Sequence, residues 1–183
     1  FGGYFADSNL TGQQIFDAAG EPVSVTGYIS AEKTWINSTS SVSLCANWTV
    51  NETAVTFLNY TGGTDGAATL TFGETVPPVS VPAREGFTFG GYFADSNLTG
   101  QQIFDAAGEP VSVPGYISAE KTWTNTTSTV SLCANWTVNE TTVTLLNYTG
   151  GTDGSVTLTF GQAVAPVSVP AREGFTFGGY FAD

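Results

Sequence analysis

The stretch FGGYFADSNLTGQQIFDAAGEPVSV begins at Phe1 and returns letter for letter at Phe89; its first seven residues occur a third time over 177–183. Both offsets are 88 residues (89 − 1 and 177 − 89). A fixed period constrains the fold more than composition does, because each repeat must be one structural unit laid beside its neighbours. The copies differ by mild exchanges such as Ala54/Thr142, Phe57/Leu145, Ala68/Val156 and Glu74/Gln162, so one fold is used twice. At 183 residues the chain gives each unit length enough to bury its own core.

Within a repeat the hydrophobic pattern has period two rather than 3.6. Val42, Leu44, Ala46 and Trp48 alternate with Ser43, Cys45, Asn47 and Thr49, which predicts a half-buried strand. Val55, Thr56 and Phe57 open a second strand, and Thr69 to Gly73 returns it, with Leu70 and Phe72 expected on the inner face. Between them Asn59, Gly62, Gly63, Asp65 and Gly66 supply turn chemistry, so the pair reads as a hairpin. Pro77, Pro78 and Pro82 then predict an extended connector. Phe87 to Phe93 reads as an aromatic strand interrupted by Gly90 and Gly91, the signature of a bulge. Residues 101–104 and 110–113 flank Asp105-Ala106-Ala107-Gly108-Glu109, which predicts a second small hairpin; a helical turn over 101–107 is the competing reading.

Charge narrows the function classes. Four basic residues (Lys33, Arg84, Lys121, Arg172) face 16 acidic ones, for a net charge of −12. No basic footprint exists for nucleic acid or anionic lipid. No run of about 18 apolar residues is present, so membrane insertion is not expected. The chain opens on Phe1 rather than Met and carries no signal peptide, and it is expected to be a window of a longer, processed protein. Only 11% of residues are charged, so another layer must keep the surface soluble.

That layer is suggested by the densest motif in the chain. N-x-[ST] occurs at Asn9, Asn37, Asn47, Asn51 and Asn59, and again at Asn97, Asn125, Asn135, Asn139 and Asn147. Five sequons per repeat point to N-glycosylation, with sugar hydroxyls replacing charged side chains; passive accumulation in an Asn/Thr-rich β protein is the alternative. Asn47 is expected to point outward, Asn51 to share its face, and Asn59 to lie accessible at a hairpin tip.

Reaction chemistry is not visible. Without His, no Ser/His/Asp or Cys/His arrangement exists, and two cysteines offer neither a metal set nor C-x-x-C. Asp7, Asp17, Glu21, Glu32 and Asp65 are scattered over turns and recur one period later, as turn residues do. Cys45 and Cys133 lie one period apart, beyond the ~7 Å Cα limit of a disulfide in modules stacked end to end. Each is either a free strand residue or a bridge to another chain. Phe89, Tyr92, Phe93, Tyr116 and Trp123 read either as core aromatics or as a sugar-binding platform.

The order V-T-F, Gly-Gly hairpin, V-P-A-R-E-G-F-T-F-G-G-Y-F, L-C-A-N-W resembles the Listeria–Bacteroides repeat, a module akin to the internalin B-repeat. Residues 84–89 and 132–136 carry the most specific part of the resemblance. Tyr92 stands at a usual Trp place, and Cys45 and Cys133 stand at a usual Tyr place. The resemblance implies an all-β or β-dominated fold, with tandem β-grasp-like repeats of 88 residues arranged head to tail on extracellular surface proteins. In its frame residues 52–139 are a complete repeat, residues 1–51 the C-terminal part of one repeat, and residues 140–183 the N-terminal part of the next. Each partial module is expected to be completed by an adjoining copy, in the same chain or a neighbouring one.

The expectation is therefore a structural protein, not an enzyme: an extracellular or cell-surface, heavily N-glycosylated repeat that forms a fibre or filament by head-to-tail self-association. No cofactor is expected beyond covalent N-linked glycans, and neither nucleic-acid binding nor membrane insertion. The rival expectation is an adhesin or carbohydrate-binding module of a cell-surface stalk.

Overall fold

The computed structural model describes residues 1–60, 62–146 and 154–182. They form ten strands and no helix: β1 (Gly3–Phe5), β2 (Gln14–Phe16), β3 (Cys45–Asn47), β4 (Glu52–Leu58), β5 (Gly66–Thr71), β6 (Phe87–Phe93), β7 (Gln102–Phe104), β8 (Thr129–Val138), β9 (Glu140–Leu145) and β10 (Gly154–Thr159). The chain divides into two compact units, Phe1–Asn51 and Glu52–Asp183.

The second unit holds a five-stranded sheet in the order β5-β4-β8-β6-β7. β4 and β5 form the expected antiparallel hairpin, with Val55 opposite Ala68. Alternation buries Thr53, Val55 and Phe57 on one face of β4. β4 then runs parallel to β8, with Ala54 opposite Thr129 and Phe57 opposite Leu132. A parallel pair needs a long crossover. Here the crossover contains β5, the proline connector, β6 and β7. The connector has no strand of its own, and is held by Val76 N–H to the Lys121 carbonyl (2.8 Å) and Val79 N–H to the Gly108 carbonyl (2.9 Å).

The two glycines of β6 do separate jobs. The β6–β8 register shifts between Phe89 and Tyr92, so this is the expected bulge, and Gly91 supplies its φ of 110°. Gly90 leaves room for Asn135, whose amide nitrogen would lie 3.0 Å from a Cβ there. β7 and the bridge from Phe104 to Pro110 form the second hairpin, and no helical turn occurs. Its turn is organised by Asp105, whose Oδ1 accepts the N–H groups of Ala107 and Glu109, both at 2.9 Å.

The core beneath this sheet contains Val55, Phe57, Leu70, Val76, Phe89, Tyr92, Ile103, Phe104, Val113, Ile117, Trp123 and Leu132. Trp123 buries its ring and donates Nε1–H to Thr53 Oγ1 at 3.0 Å; Thr53 in turn donates to the Thr127 carbonyl at 2.6 Å. A buried hydroxyl and a buried indole thereby satisfy each other. Phe72 departs from expectation. β5 stops at Thr71, and the turn at Gly73 (φ 84°) leaves the Phe72 ring exposed rather than on the inner face.

β9 and β10 form a further antiparallel hairpin, a two-stranded sheet with Val143 opposite Val156. It follows β8 directly. Phe160, just past β10, packs its ring against Phe87 (6.2 Å between centroids) and over Gly86.

The first unit is a three-stranded sheet, β2-β1-β3, over a small core of Ile15, Val25 and Ile29. Its loops copy those of the second unit, from the Asp17 turn to the Lys33 Nζ bond with the Pro22 carbonyl (2.7 Å). The strand expected from Val42 to Trp48 is shorter than predicted, with only Cys45–Asn47 paired, whereas the matching segment of the second unit is the ten-residue β8. Of the residues missing from β3, 48–50 correspond to the part of β8 that pairs with residues 87–89 of β6, and 41–44 to the part that pairs with β4. Nothing in the first unit fills the place of that hairpin.

Candidate functional site

The ten sequon asparagines fall into distinct environments. Asn9 and Asn97 are exposed in matching turns, where Leu10 and Leu98 adopt φ of 59° and 57°. Asn51 and Asn139 are exposed as well, and Asn139 Oδ1 accepts Thr88 Oγ1–H at 2.7 Å. Asn37 and Asn125 are half-buried and already spend their amides within the loop. Asn125 Nδ2 donates to the Gly115 carbonyl (2.9 Å) while Oδ1 accepts from Thr127 N–H (2.9 Å) and Oγ1 (2.5 Å); Asn37 makes the same set with Gly27 and Thr39. Asn47 and Asn135 are half-buried against Gly2 and Gly90. Asn147 lies outside the described residues.

Asn59 differs most from its expected accessible position. Its Oδ1 accepts Tyr92 Oη–H at 2.5 Å, its Nδ2 donates to the Thr64 carbonyl, and its own carbonyl accepts Trp136 Nε1–H at 2.7 Å. The side chain therefore ties the hairpin tip to the core. Tyr92 is pushed up to about 12, first by burial and then by the Asp65 carboxylate, so it remains the donor of this bond at ordinary pH. Sequence pattern alone marks Asn59 as a sequon; the tyrosine it holds arrives from β6, 33 residues away.

Four of the five predicted aromatics belong to the core or pack against it. Phe89, Tyr92 and Trp123 are buried and Tyr116 packs half-buried against them, whereas Phe93 is half-buried outside that cluster. Cys45 and Cys133 are free thiols. Glu32 sits in its turn with its carboxyl held below the usual range by the backbone and the Ser30 hydroxyl. Each cation is also engaged within the fold. Lys33 and Lys121 bond loop carbonyls, Arg84 stacks on Phe87 (3.7 Å) and Tyr60 (4.7 Å), and Arg172 stacks on Phe175 (3.8 Å). A groove of about 380 Å³ runs between the hairpin tip and the proline connector, floored by Phe57, Tyr92 and Phe104 with Asn59, Thr64 and Asp65 at its lip.

Among the described residues no three His, Cys, Asp or Glu side chains gather where they could hold a metal ion, and no helix is long and apolar enough to cross a membrane. What the geometry of the described residues defines is an all-β chain of repeated modules. Residues 54–113 match the family model of the Listeria-Bacteroides repeat domain, which supports that family for this segment. Two relatives from Evansella cellulosilytica, named "Putative membrane protein" and "Putative Gly-rich membrane protein", are each 26% identical over 149 residues. The alignments cover 79% of this chain but only 19% and 15% of those proteins, so the chain spans less than a fifth of either. No solved structure matches the chain.

Proposed function

We propose that this chain is a structural element of an extracellular, cell-surface protein: an N-glycosylated tandem repeat that joins head to tail into a fibre. The observation that carries the reading is the near-identity of the 88-residue copies, because a module repeated almost letter for letter, with its cations engaged within its own fold, offers continuation of the array as its main interaction. The family match and the names of the relatives support a surface setting. The parallel β4–β8 pair at the centre of the sheet supports a β-grasp-like, internalin B-repeat-like description of the module. Net charge of −12 argues against nucleic acid or anionic lipid as a partner. The reading assigns no catalysis, no cofactor and no membrane insertion to these residues.

Glycan placement follows from the geometry. Asn9, Asn97, Asn51 and Asn139 present exposed side chains, whereas a sugar on Asn59 Nδ2 would stand against the Thr64 carbonyl that this nitrogen already bonds. Glycopeptide mapping of the native protein should find occupancy highest at those four and lowest at Asn59. A chain whose intact mass does not change on endoglycosidase treatment would contradict the glycoprotein reading. The groove beside Asn59 favours a second reading, a carbohydrate-binding module. Trp123→Ala does not test it, since Trp123 is core; glycan-array binding lost on Asp65→Ala would support it.

A further inference from the structure

Residues 140–160 repeat residues 52–72 one period on, so residues 52–139 are one full period and Glu140 opens the next. The two are joined without a linker. β8 ends at Val138, β9 begins at Glu140, and Asn139 alone stands between them. Asn139 bonds both sides of the junction. Its N–H donates to the Gly86 carbonyl beside β6 at 2.8 Å, and its carbonyl accepts Phe160 N–H from the end of β10 at 3.0 Å. Backbone pairing therefore passes from Phe87 opposite Val138 to Thr159 opposite Glu140 with no unbonded residue between. Thr88 Oγ1–H adds a bond to Asn139 Oδ1 at 2.7 Å.

Side chains close the same junction. Gly86, at φ 76°, completes the turn in which Phe87 N–H bonds the Arg84 carbonyl at 3.1 Å. The Phe160 ring occupies the place that a Cβ on Gly86 would take. It meets Phe87 edge-on, at 6.2 Å between centroids, and Arg84 lies over the Phe87 ring at 3.7 Å. The Arg84-to-Phe89 segment, the most specific part of the family resemblance, thus meets the following copy here.

We propose that Gly86, Phe87, Thr88, Asn139 and Phe160 form a rigid joint that holds one repeat at a fixed angle to the next copy in the same chain. Modules joined by a flexible linker reorient freely. Here the connection is one residue with a backbone bond to each copy. A swing about Asn139 breaks one of those bonds and lifts Phe160 off Phe87. The period carries these residue types at every copy the chain holds (Gly86/Gly174, Phe87/Phe175, Thr88/Thr176, Asn51/Asn139, Phe72/Phe160). Identical joints give identical angles, so an array of this repeat is a regular rod rather than beads on a string.

The joint deepens the head-to-tail reading above and is tested separately from it. Ala67 in β5 and Ser155 in β10 are exposed and stand one period apart. Spin labels on Ala67→Cys and Ser155→Cys, with Cys45→Ser and Cys133→Ser, report the repeat-to-repeat distance by pulsed electron paramagnetic resonance of the dilute full chain. The distribution should be narrow in this background and broaden on adding Phe160→Ala or Gly86→Ala. Phe160 is 47% exposed, so its truncation opens no core, and it leaves the complete copy untouched. Gly86→Ala leaves the hairpin untouched and puts a methyl group where the ring lies. Hydrogen exchange of β4–β8 and of β9–β10 shows that each part stays folded; should one variant unfold its own part, the other decides. A broad distribution before either change, or a narrow one after it, overturns the joint and leaves head-to-tail assembly standing. A narrow distribution in a chain that never forms fibres overturns that assembly and leaves the joint.

Discussion

Trp123→Ala is expected to cost about 3–5 kcal/mol, while Trp35→Ala costs under about 1 kcal/mol in the unassembled chain. The two tryptophans sit at the same position of nearly identical sequences. Trp123 loses a ring packed against Tyr116, at 6.1 Å between centroids, and leaves the Thr53 hydroxyl without its indole donor in a dry site. Trp35 keeps the ring contact, to Tyr28 at 6.0 Å, but half its surface is in water and it has little burial to lose. Against a typical domain stability of about 5–15 kcal/mol, the first change removes a large share and the second does not. Hydrogen exchange resolved to each unit reads the difference, because one global melt does not describe a two-unit chain. Equal losses at both positions would mean that burial in the first unit does not depend on the hairpin.

Gly91→Ala is expected to destabilise the second unit by roughly 3 kcal/mol. Gly91 has φ of 110°, outside what an alanine adopts comfortably, and its added Cβ would lie 2.4 Å from the Phe104 carbonyl oxygen. That carbonyl belongs to the β7 hairpin, so the clash is with backbone and cannot be relieved by a rotamer change. Gln102 bridges the same bulge, donating Nε2–H to the Gly90 carbonyl at 2.9 Å. Urea unfolding of the variant beside Gly90→Ala separates conformational strain from crowding, since a Cβ at Gly90 meets the Asn135 side chain first and the residue has no positive φ. A Gly91→Ala chain as stable as the parent would remove the bulge from the account.

Local structure was legible in the sequence wherever it depended on near neighbours. The Val55–Leu70 hairpin, the proline connector, the Gly90-Gly91 bulge and the Asp105 turn all follow from turn chemistry and alternation within about a dozen residues. Pairings set by distant segments were not legible. No local pattern announces that Ala54 lies beside Thr129, or that the Asn59 amide is reserved for Tyr92. The segment from Val42 to Leu44 shows why. Its alternation is that of a strand, and its copy from Val130 to Leu132 is one, but a strand needs a partner to bond. The same letters therefore pair in one unit and stay unpaired in the other. Phe72 failed for a simpler reason: the turn at Gly73 begins one residue before the hydrophobic pattern ends. The sequons were readable as motifs, while the hydrogen bonds that separate Asn59 from Asn97 required the fold.

Electron microscopy of the purified chain as it is concentrated tests the central claim most directly, because open-ended head-to-tail joining of repeats has a visible product. The account predicts unbranched fibres that lengthen with concentration and show one regular axial repeat. Discrete single particles of constant size over about a hundred-fold range of concentration would contradict it.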